Sequence, residues 1–372
     1  MKKIKRRHGT IESKVASVLK TTKDPGKTKY EVDFIGSGST RLNLALSNKA
    51  FSGGWARGRI GNIVGDGSSG KTLLALEAAF WCFNNIKKIK ALNFNKPKKV
   101  SIVYNNIEGV MDFPLQKMYG DQFINNVEWI SSRNIEEMGR DYITRINNLK
   151  KNNFLFYVVD SWDALGSEEG EKRFEESVSK NKEMSGSYNL EKQKYSSAFF
   201  SHVCSKMENN KKDATLIIVS QVRTKIGITF GKKTYRAGGK ALDFYTHQVA
   251  WIREIEKLSK TKNKEKRVYG IRSHAKIERN KVAKPFRESD FTILYDYGMD
   301  DLSSMIDYIW GKKEIQFKGQ KYKNKKQFIR HVERNNLEKE IIEETERKWN
   351  DVEESFEREI RKRKSRFPDT TY

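Results

Sequence analysis

An eight-residue segment has the spacing of a phosphate-binding loop, G-x-x-x-x-G-K-[ST]. It consists of Gly65, Asp66, Gly67, Ser68, Ser69, Gly70, Lys71 and Thr72. An apolar run precedes the segment and an apolar helical stretch follows it, which is the context that such a loop requires. The glycines let backbone N–H groups approach phosphates, and a helix N-terminus adds partial positive charge. Lys71 is expected to reach the β and γ phosphates and Thr72 to bind Mg²⁺, so the segment predicts ATP as its ligand.

Three further candidates stand at the ends of short apolar runs. Asp160 follows the run 154–159, Glu108 follows the run 101–106, and Gln221 follows the run 216–220. Open α/β sheets bind ligands at the carboxyl ends of their strands, so we expect these side chains to meet the phosphate loop in one crevice. There Asp160 would hold the Mg²⁺ shell, Glu108 would activate water as a general base, and Gln221 would contact the γ-phosphate. For Asp160 alone, capping of the next turn is the alternative interpretation.

A glycine-rich basic segment, residues 222–240, comes directly after Gln221. It carries four glycines, six basic residues and, in its middle, three large apolar side chains. Glycines allow a loop to become ordered on binding, and the cations can meet phosphates of a nucleic acid. We therefore expect a DNA-binding loop whose contacts depend on the state of the nucleotide. A solvated surface loop is the alternative, but it would not need Ile226, Ile228 and Phe230.

The overall charge also indicates a nucleic-acid partner. The 372 residues carry a formal net charge of +25, and the isoelectric point is near 9.7. Such an excess of cations is expected of a protein that binds a phosphate backbone. A lysine-rich proteome encoded by an AT-rich genome is the alternative explanation for the charge alone.

Composition also bounds the location and class of the protein. Mean hydropathy is −0.78, and no apolar run approaches the ~18 residues of a membrane span. No apolar region follows the basic start, so we expect neither a membrane anchor nor a secretory signal. The isolated Cys82 and Cys204 suit a reducing cytoplasm. The five histidines are scattered, and we expect no structural metal.

The chain divides into three segments by pattern. Residues 1–30 are polar and basic, and residues 31–298 alternate short apolar runs with helical stretches. This alternation predicts an α/β domain with a largely parallel, twisted sheet. Residues 299–372 form a small domain that ends in a long charged helix from about 336 to 366, with a basic tail. Strands are predicted at 59–64, 100–104, 154–159, 216–219 and 248–252, and a long mobile loop leading into a helix at 167–197.

Several separated motifs, in this order, resemble the bacterial RecA family, and the likeness spans most of the chain. The run 215–242 resembles the family's second DNA-binding loop with its Gly-Gly exit, and 158–165 resembles its Mg²⁺-binding strand. The resemblance extends to 106–112, 276–286, 291–295 and, in the C-terminal domain, 317–322. It implies a RecA-type phosphate-loop ATPase core over 31–298. It also implies an N-terminal oligomerisation segment and a small α+β, DNA-associated C-terminal domain.

The resemblance also implies a function and the residues that perform it. It indicates an ATP-dependent recombinase that forms helical filaments on single-stranded DNA and exchanges strands with homologous duplex DNA. Single-strand-binding and loading proteins would then be further partners. Glu108 would be the general base, Gln221 the γ-phosphate switch, and Arg279 and Lys281 a basic pair that reaches a neighbouring subunit's γ-phosphate. Asp112 and Tyr295 match adenine-pocket positions. The implied DNA-binding residues are Arg223, Lys225, Ile226 (an apolar wedge between nucleotide triplets), Lys232, Lys233, Arg236, Gly238, Gly239 and Lys240.

Some positions depart from the family pattern. Leu115 stands where an adenine-stacking tyrosine is usual, Asn106 replaces an aspartate, and Arg279 replaces a lysine. The C-terminal tail is basic where the bacterial proteins have an acidic one. These departures suggest a phage or mobile-element member, comparable in role to the UvsX recombinases of T-even phages. A helicase or translocase on the same fold, and a non-catalytic recombination mediator, are the alternative functions. A helicase or translocase would not predict the Arg279/Lys281 pair beside an intact Gln221 loop. A mediator would be expected to have lost Glu108, Lys71 or the Gly-Gly exit of the loop, and none is lost here.

Overall fold

The computed structural model describes residues 32–359 with short gaps at 86–87, 89–91, 93, 110, 112–113, 182–189, 210–211, 225–233, 237–238 and 312. Within these residues the strands are β1 (Phe34–Ile35), β2 (Trp55–Ala56), β3 (Ile60–Gly65), β4 (Lys99–Asn106), β5 (Val127–Ile130), β6 (Asn153–Asp160), β7 (Ala214–Thr224), β8 (Thr234–Arg236), β9 (Gln248–Lys262), β10 (Glu265–Asn280), β11 (Glu288–Leu294), β12 (Gly298–Met299), β13 (Ile315–Phe317) and β14 (Gln320–Tyr322). The helices are α1 (Thr40–Ser47), α2 (Lys71–Asn85), α3 (Leu115–Tyr119), α4 (Asp121–Asn126), α5 (Ile135–Asn148), α6 (Glu168–Lys180), α7 (Leu190–Asn209), α8 (Gly239–Tyr245), α9 (Asp301–Trp310), α10 (Lys325–Arg334) and α11 (Glu338–Glu359).

A central sheet organises the described part of the chain. Ten of the described strands belong to it, in the order β12-β11-β10-β9-β3-β7-β6-β4-β5, with β8 added to β7. The six strands from β9 to β5 run parallel to one another, and β10, β11 and β12 continue the sheet in antiparallel fashion. The predicted α/β class with a largely parallel sheet is therefore confirmed. All five predicted strands overlap observed ones, and those at 59–64 and 154–159 agree with β3 and β6 to within a residue at each end.

Both faces of the central strands are buried, as their continuous apolar character predicts. Side chains alternate along a strand, so neighbouring residues face opposite sides of the sheet. In β6, Phe156 and Val158 pack into one core cluster with helix α2, whereas Tyr157 and Val159 pack into another with helices α5 and α7. This burial holds the carboxyl ends of β3, β4, β6 and β7 side by side.

The prediction of a long loop at 167–197 is wrong, because much of the segment is helical. Ser167 caps helix α6 by accepting a hydrogen bond from the backbone N–H of Gly170 at 3.1 Å. Three acidic residues occupy the first turn, where the helix dipole favours negative charge. Asn181 ends the helix in a left-handed conformation. These capping interactions stabilise the helix. Its polar composition gives no clear apolar periodicity, so the sequence pattern does not predict it.

Strands β9 and β10 form an antiparallel hairpin much longer than the predicted strand at 248–252. The pairing of β9 with β3 ends at Ile252, and that of β10 with β11 begins at Gly270. Beyond these points the hairpin extends as two strands alone, rich in exposed lysine. The sequence does not predict this extension, because charged residues occur on both faces of the two strands. Apolar and polar residues therefore do not alternate there as they do in a half-buried strand.

The C-terminal elements surround a third apolar cluster, which includes Ile306, Phe328 and Ile341. Helix α11 also packs back on the sheet domain, since Trp349 Nε1 donates to Asn48 Oδ1 at 2.8 Å. Apolar side chains in the last described turns of this helix are not packed in the same way. Val352 and Phe356 are 46% and 66% exposed, because the helix extends past the elements it packs against. Residues 1–31 and 360–372, including the basic tail, lie outside the described residues.

Candidate ATP-hydrolysis site

The predicted phosphate loop connects strand β3 to helix α2, as its sequence requires. Gly70 adopts φ +92°, and a Cβ there would lie 2.3 Å from Ile293 Cδ1, so a larger residue would strain the loop and displace Ile293. The Ser69 hydroxyl donates to the Asp66 carbonyl at 2.8 Å, and Lys71 Nζ donates to the same carbonyl at 2.5 Å. Desolvation of Lys71 lowers the pKa of its ammonium, while nearby Asp160 and Glu108 oppose that shift. The loop is therefore folded around the lysine that would meet the phosphates.

Thr72 and Asp160 come together at the start of helix α2. The Thr72 hydroxyl donates to the Asp160 carboxylate, and the Tyr104 hydroxyl donates to Asp160 Oδ2 at 2.7 Å. Burial raises the pKa of Asp160, and these two hydrogen bonds oppose the rise. A hydroxyl and a carboxylate are the oxygen ligands that Mg²⁺ prefers, so the donor set fits this ion. Sequence reasoning missed Tyr104, which looks like an ordinary strand residue.

Glu108 lies between two hydrogen-bond donors. Ser161 Oγ donates to Glu108 Oε1 at 2.6 Å, and Gln221 Nε2 donates to the same oxygen at 2.9 Å. Strand register explains the meeting, because Asn106 is level with Asp160, and Gly65 is level with Gln221. The structure thus brings the phosphate loop, Glu108, Asp160 and Gln221 into one crevice.

Residues 161–166, which we call the site turn, connect Asp160 to helix α6. The Asp163 carboxylate accepts a hydrogen bond from the backbone N–H of Gln221 at 2.5 Å. Burial raises the pKa of Asp163, and that hydrogen bond opposes the rise. The Trp162 ring packs on Phe200 of helix α7 at a centroid distance of 5.0 Å. Sequence reasoning missed the site turn, whose contacts come from residues far along the chain.

A cavity of about 500 Å³ opens beside the phosphate loop. Tyr295, which is 52% exposed, lines it together with Ser68, Lys71 and Thr72. This position is compatible with a nucleotide base beside Tyr295. Leu115 lines a separate cavity, next to Trp129, and Asp112 lies outside the described residues.

The predicted DNA loop is closed at its base by a pair of antiparallel strands. Strand β8 pairs with the end of β7, with Val222 opposite Arg236. Arg223 is exposed beside the crevice. Gly239 and Lys240 begin helix α8. The other predicted DNA contacts, Lys225, Ile226, Lys232, Lys233 and Gly238, lie outside the described residues.

Arg236 departs from its predicted role as a DNA contact. Its side chain is buried, donates to Asn62 Oδ1 at 2.5 Å and forms an ion pair with Asp243. In this arrangement the guanidinium binds the protein and does not face solvent. Arg236 therefore anchors the end of the loop to strand β3 and helix α8, and its guanidinium does not face DNA in this arrangement.

Arg279 and Lys281 lie near the amino ends of the parallel strands, whereas the phosphate loop lies at their carboxyl ends. Arg279 is near the end of β10, and Lys281 directly follows this strand. This end of β10 pairs with the start of β9, which in turn pairs with the start of β3. Arg279 and Lys281 both donate to the carbonyl oxygen of Phe244, at 3.3 and 3.1 Å. Arg279 is level with Val249 and therefore with Asn62, which lies three residues before Gly65, a distance of about 10 Å along a strand. The pair does not lie near the phosphate loop of its own subunit.

Comparison with known proteins identifies the family of this chain. The RecA N-terminal domain family matches residues 176–300. The protein is 30% identical over 309 residues to Protein RecA of Oleidesulfovibrio alaskensis, covering 80% of this chain and 75% of the relative. It is 29% identical over 329 residues to Protein RecA of Prochlorococcus marinus, covering 85% and 76%. Protein RecA of Helicobacter pylori is 30% identical over 291 residues, covering 76% and 71%. The chain belongs to the RecA family.

Membership of the RecA family supports, at family level, a recombinase role that involves ATP, Mg²⁺, DNA and self-association. The relatives named above are bacterial, and a phage origin stays a prediction. In the described part of the chain, no helix is long and apolar enough to cross a membrane.

Proposed function

We propose that this protein is an ATP-dependent recombinase that forms filaments on single-stranded DNA. In these filaments it pairs the strand with homologous duplex DNA and exchanges strands, with DNA-stimulated hydrolysis of ATP. The observation that carries this proposal is the hydrogen bond from Gln221 to Glu108. It joins the candidate base for hydrolysis to the strand that leads into the candidate DNA loop.

The hydrolytic step follows from the residues around the phosphate loop. Lys71 and the loop N–H groups would bind the phosphates, and Thr72 and Asp160 would hold Mg²⁺, which would supply neutralisation of the phosphate charge. Glu108 accepts a proton from the attacking water, and Ser161 keeps the carboxylate oriented by its 2.6 Å hydrogen bond. Binding of the γ-phosphate by Gln221 competes with its hydrogen bond to Glu108. The presence of ATP therefore alters the position of Gln221 and of the loop that follows it.

The DNA contacts are proposed for the loop after strand β7. Its cations Arg223, Lys225, Lys232, Lys233 and Lys240 would bind phosphates, Gly238 and Gly239 would let the loop adapt at its exit, and Ile226 would separate nucleotide triplets. Arg236 would hold the end of the loop from inside. This arrangement lets a movement of Gln221 change the DNA affinity.

The Arg279/Lys281 pair supports a filament in which each nucleotide lies between two subunits. Because the pair lies away from the phosphate loop of its own subunit, we expect it to reach a neighbour's nucleotide by exchanging its hydrogen bonds to Phe244 for the γ-phosphate. ATP would then stabilise the subunit interface, with Asp112 and Tyr295 beside the adenine. We place the protein in the cytoplasm, where single-strand-binding and loading proteins are its expected partners.

Imaging and strand exchange test this function together. With single-stranded DNA and a slowly hydrolysed ATP analogue, negative-stain images should show helical filaments. With ATP, the protein should exchange strands between a circular single strand and homologous linear duplex. Closed rings with unwinding activity would indicate a helicase or translocase. Monomers on DNA without hydrolysis would indicate a mediator.

A further inference from the structure

Lys192 reaches the site turn from outside the crevice. It is the third residue of helix α7, and its Nζ donates to the carbonyl oxygens of Trp162 at 2.8 Å and Leu165 at 2.6 Å. These two carbonyls lie at either end of the short 3₁₀ segment Trp162–Ala164. A single ammonium group thus fixes both ends of this turn.

The site turn contacts both Glu108 and Gln221, the two residues proposed to act at the γ-phosphate. Ser161 donates to Glu108, and Asp163 accepts from the backbone of Gln221. A shift of the turn by 1 Å would disturb the orientation of the base and the origin of the DNA loop together. Misplacement on this scale is sufficient to lower a rate strongly.

We propose that Lys192 is a positioning residue that transmits the state of helix α7 to Glu108 and Gln221. The inference rests on the proposed function, since it assigns Lys192 a role in DNA-stimulated ATP hydrolysis. A movement at the start of helix α7 would therefore act on the site turn through the Lys192 hydrogen bonds.

The charge at this position is more than helix packing needs. The Trp162–Phe200 contact already attaches helix α7 to the turn through apolar side chains. Placing an ammonium here has a desolvation cost, and burial lowers the pKa of Lys192 to about 8, although Asp163 opposes this shift. A methionine would fill a similar volume without that cost. The lysine contributes carbonyl binding and a charge near Asp163, which an apolar side chain lacks.

The test compares full-length variants at saturating single-stranded DNA. Lys192→Met removes the donors and the charge, and Lys192→Arg restores both. Lys194→Met removes an exposed lysine of the same helix and serves as the matched control. Glu108→Gln reports whether hydrolysis follows the proposed chemistry. For each protein we would measure kcat and KM for ATP, the Kd for single-stranded DNA, and the Tm.

We expect Lys192→Met to lower the DNA-stimulated kcat about tenfold or more, with KM, DNA affinity and Tm close to wild type. Lys192→Arg should recover a large part of kcat, and Lys194→Met should match wild type. If the Met variant does not fold, Lys192→Gln, which keeps one amide donor, should show a partial loss of kcat. A wild-type kcat in Lys192→Met would overturn the proposal. So would a parallel loss of kcat, affinity and Tm that Lys192→Arg does not recover.

The control variants separate two kinds of failure. If Glu108→Gln abolishes hydrolysis but Lys192→Met does not change it, the inference about Lys192 fails and the proposed function stands. If the wild-type protein shows no DNA-stimulated hydrolysis, the proposed function fails and the role of Lys192 fails with it.

Discussion

The side-chain amide of Gln221 donates to Oε1 of Glu108 at 2.9 Å. Glu108 follows strand β4 and Gln221 lies within strand β7, so the contact links two strands that β6 separates in the sheet. It places the candidate base in contact with the strand that leads into the candidate DNA loop. Substitutions on either side of this hydrogen bond should therefore separate nucleotide binding, hydrolysis and DNA binding.

Glu108→Gln should retain ATP and DNA binding while losing hydrolysis. The amide keeps the size of the side chain and can still meet Ser161 and Gln221, but it cannot accept a proton from water. We expect DNA-stimulated kcat to fall by about 10²–10⁴-fold, as for the loss of a general base. Nucleotide affinity and single-stranded DNA affinity, measured in parallel, should change little. Lys71→Ala should instead lose nucleotide affinity, and hydrolysis at the wild-type rate in Glu108→Gln would remove Glu108 from the mechanism.

The double variant Arg279→Ala, Lys281→Ala should lose ATPase activity while its own phosphate loop stays intact. Mixing it with Lys71→Ala should restore part of the activity, because some interfaces then combine an intact loop with an intact basic pair. The measurement is ATPase rate against mixing ratio on DNA, with co-assembly checked by labelled subunits. Co-assembled mixtures that stay inactive at every ratio would contradict action between subunits.

Lys232→Ala with Lys233→Ala should weaken single-stranded DNA binding and flatten its salt dependence. Each lost phosphate contact is expected to reduce the slope of log affinity against log salt by about 0.7. Arg236→Ala serves as the contrasting variant, since its side chain is buried against Asn62 and Asp243. It should lower the Tm because the buried Asn62 Oδ1 loses its donor and packing is lost, and any effect on DNA binding should follow from that. An unchanged slope in the lysine variant would place the DNA site elsewhere.

These contrasts show how far the sequence alone predicts the site. The phosphate loop and the polar residues at strand ends are local patterns, and strand register then brings Glu108, Asp160 and Gln221 together as predicted. The burial of Arg236 depends on Asn62, which is 174 residues away, and no local pattern indicates such a partner. Lys192 escapes notice for the same reason, since its acceptors are backbone carbonyls of a distant turn. Helix α6 is missed because its stability comes from end capping, not from an apolar stripe.

The basic tail should contribute to capture of duplex DNA. Arg361, Lys362, Arg363, Lys364 and Arg366 follow helix α11 and exceed what matching of the helix dipole requires. Deletion after Glu359 keeps the described helix and should selectively weaken duplex binding at low salt, with less effect at moderate salt. Equal duplex affinity in both proteins, or a lower Tm as the sole change, would assign the tail a structural role.

His247 should make the protein less stable as the pH falls below neutrality. It is buried between strands, its Nδ1 accepts from the backbone N–H of Ile60 at 3.3 Å, and burial lowers its pKa to about 3. The unfolded chain binds this proton near pH 6.5, so between the two pKa values the unfolded state holds more protons. The free energy of unfolding then decreases as pH falls, by at most about 1.4 kcal/mol per pH unit from this group.

His247→Asn provides the control, because the amide oxygen can accept the Ile60 hydrogen bond without titrating. Burial raises the pKa values of Asp213 and Asp301 to about 6, which favours the folded state at low pH and opposes the histidine effect. The quantity to measure is therefore the difference in unfolding free energy between wild type and variant, from denaturant titrations between pH 4 and pH 8. Above pH 7 the difference should be constant, and below pH 6.5 it should shift progressively in favour of the variant. A difference that stays constant across the whole range would show that His247 is protonated as easily in the folded protein as in the unfolded chain.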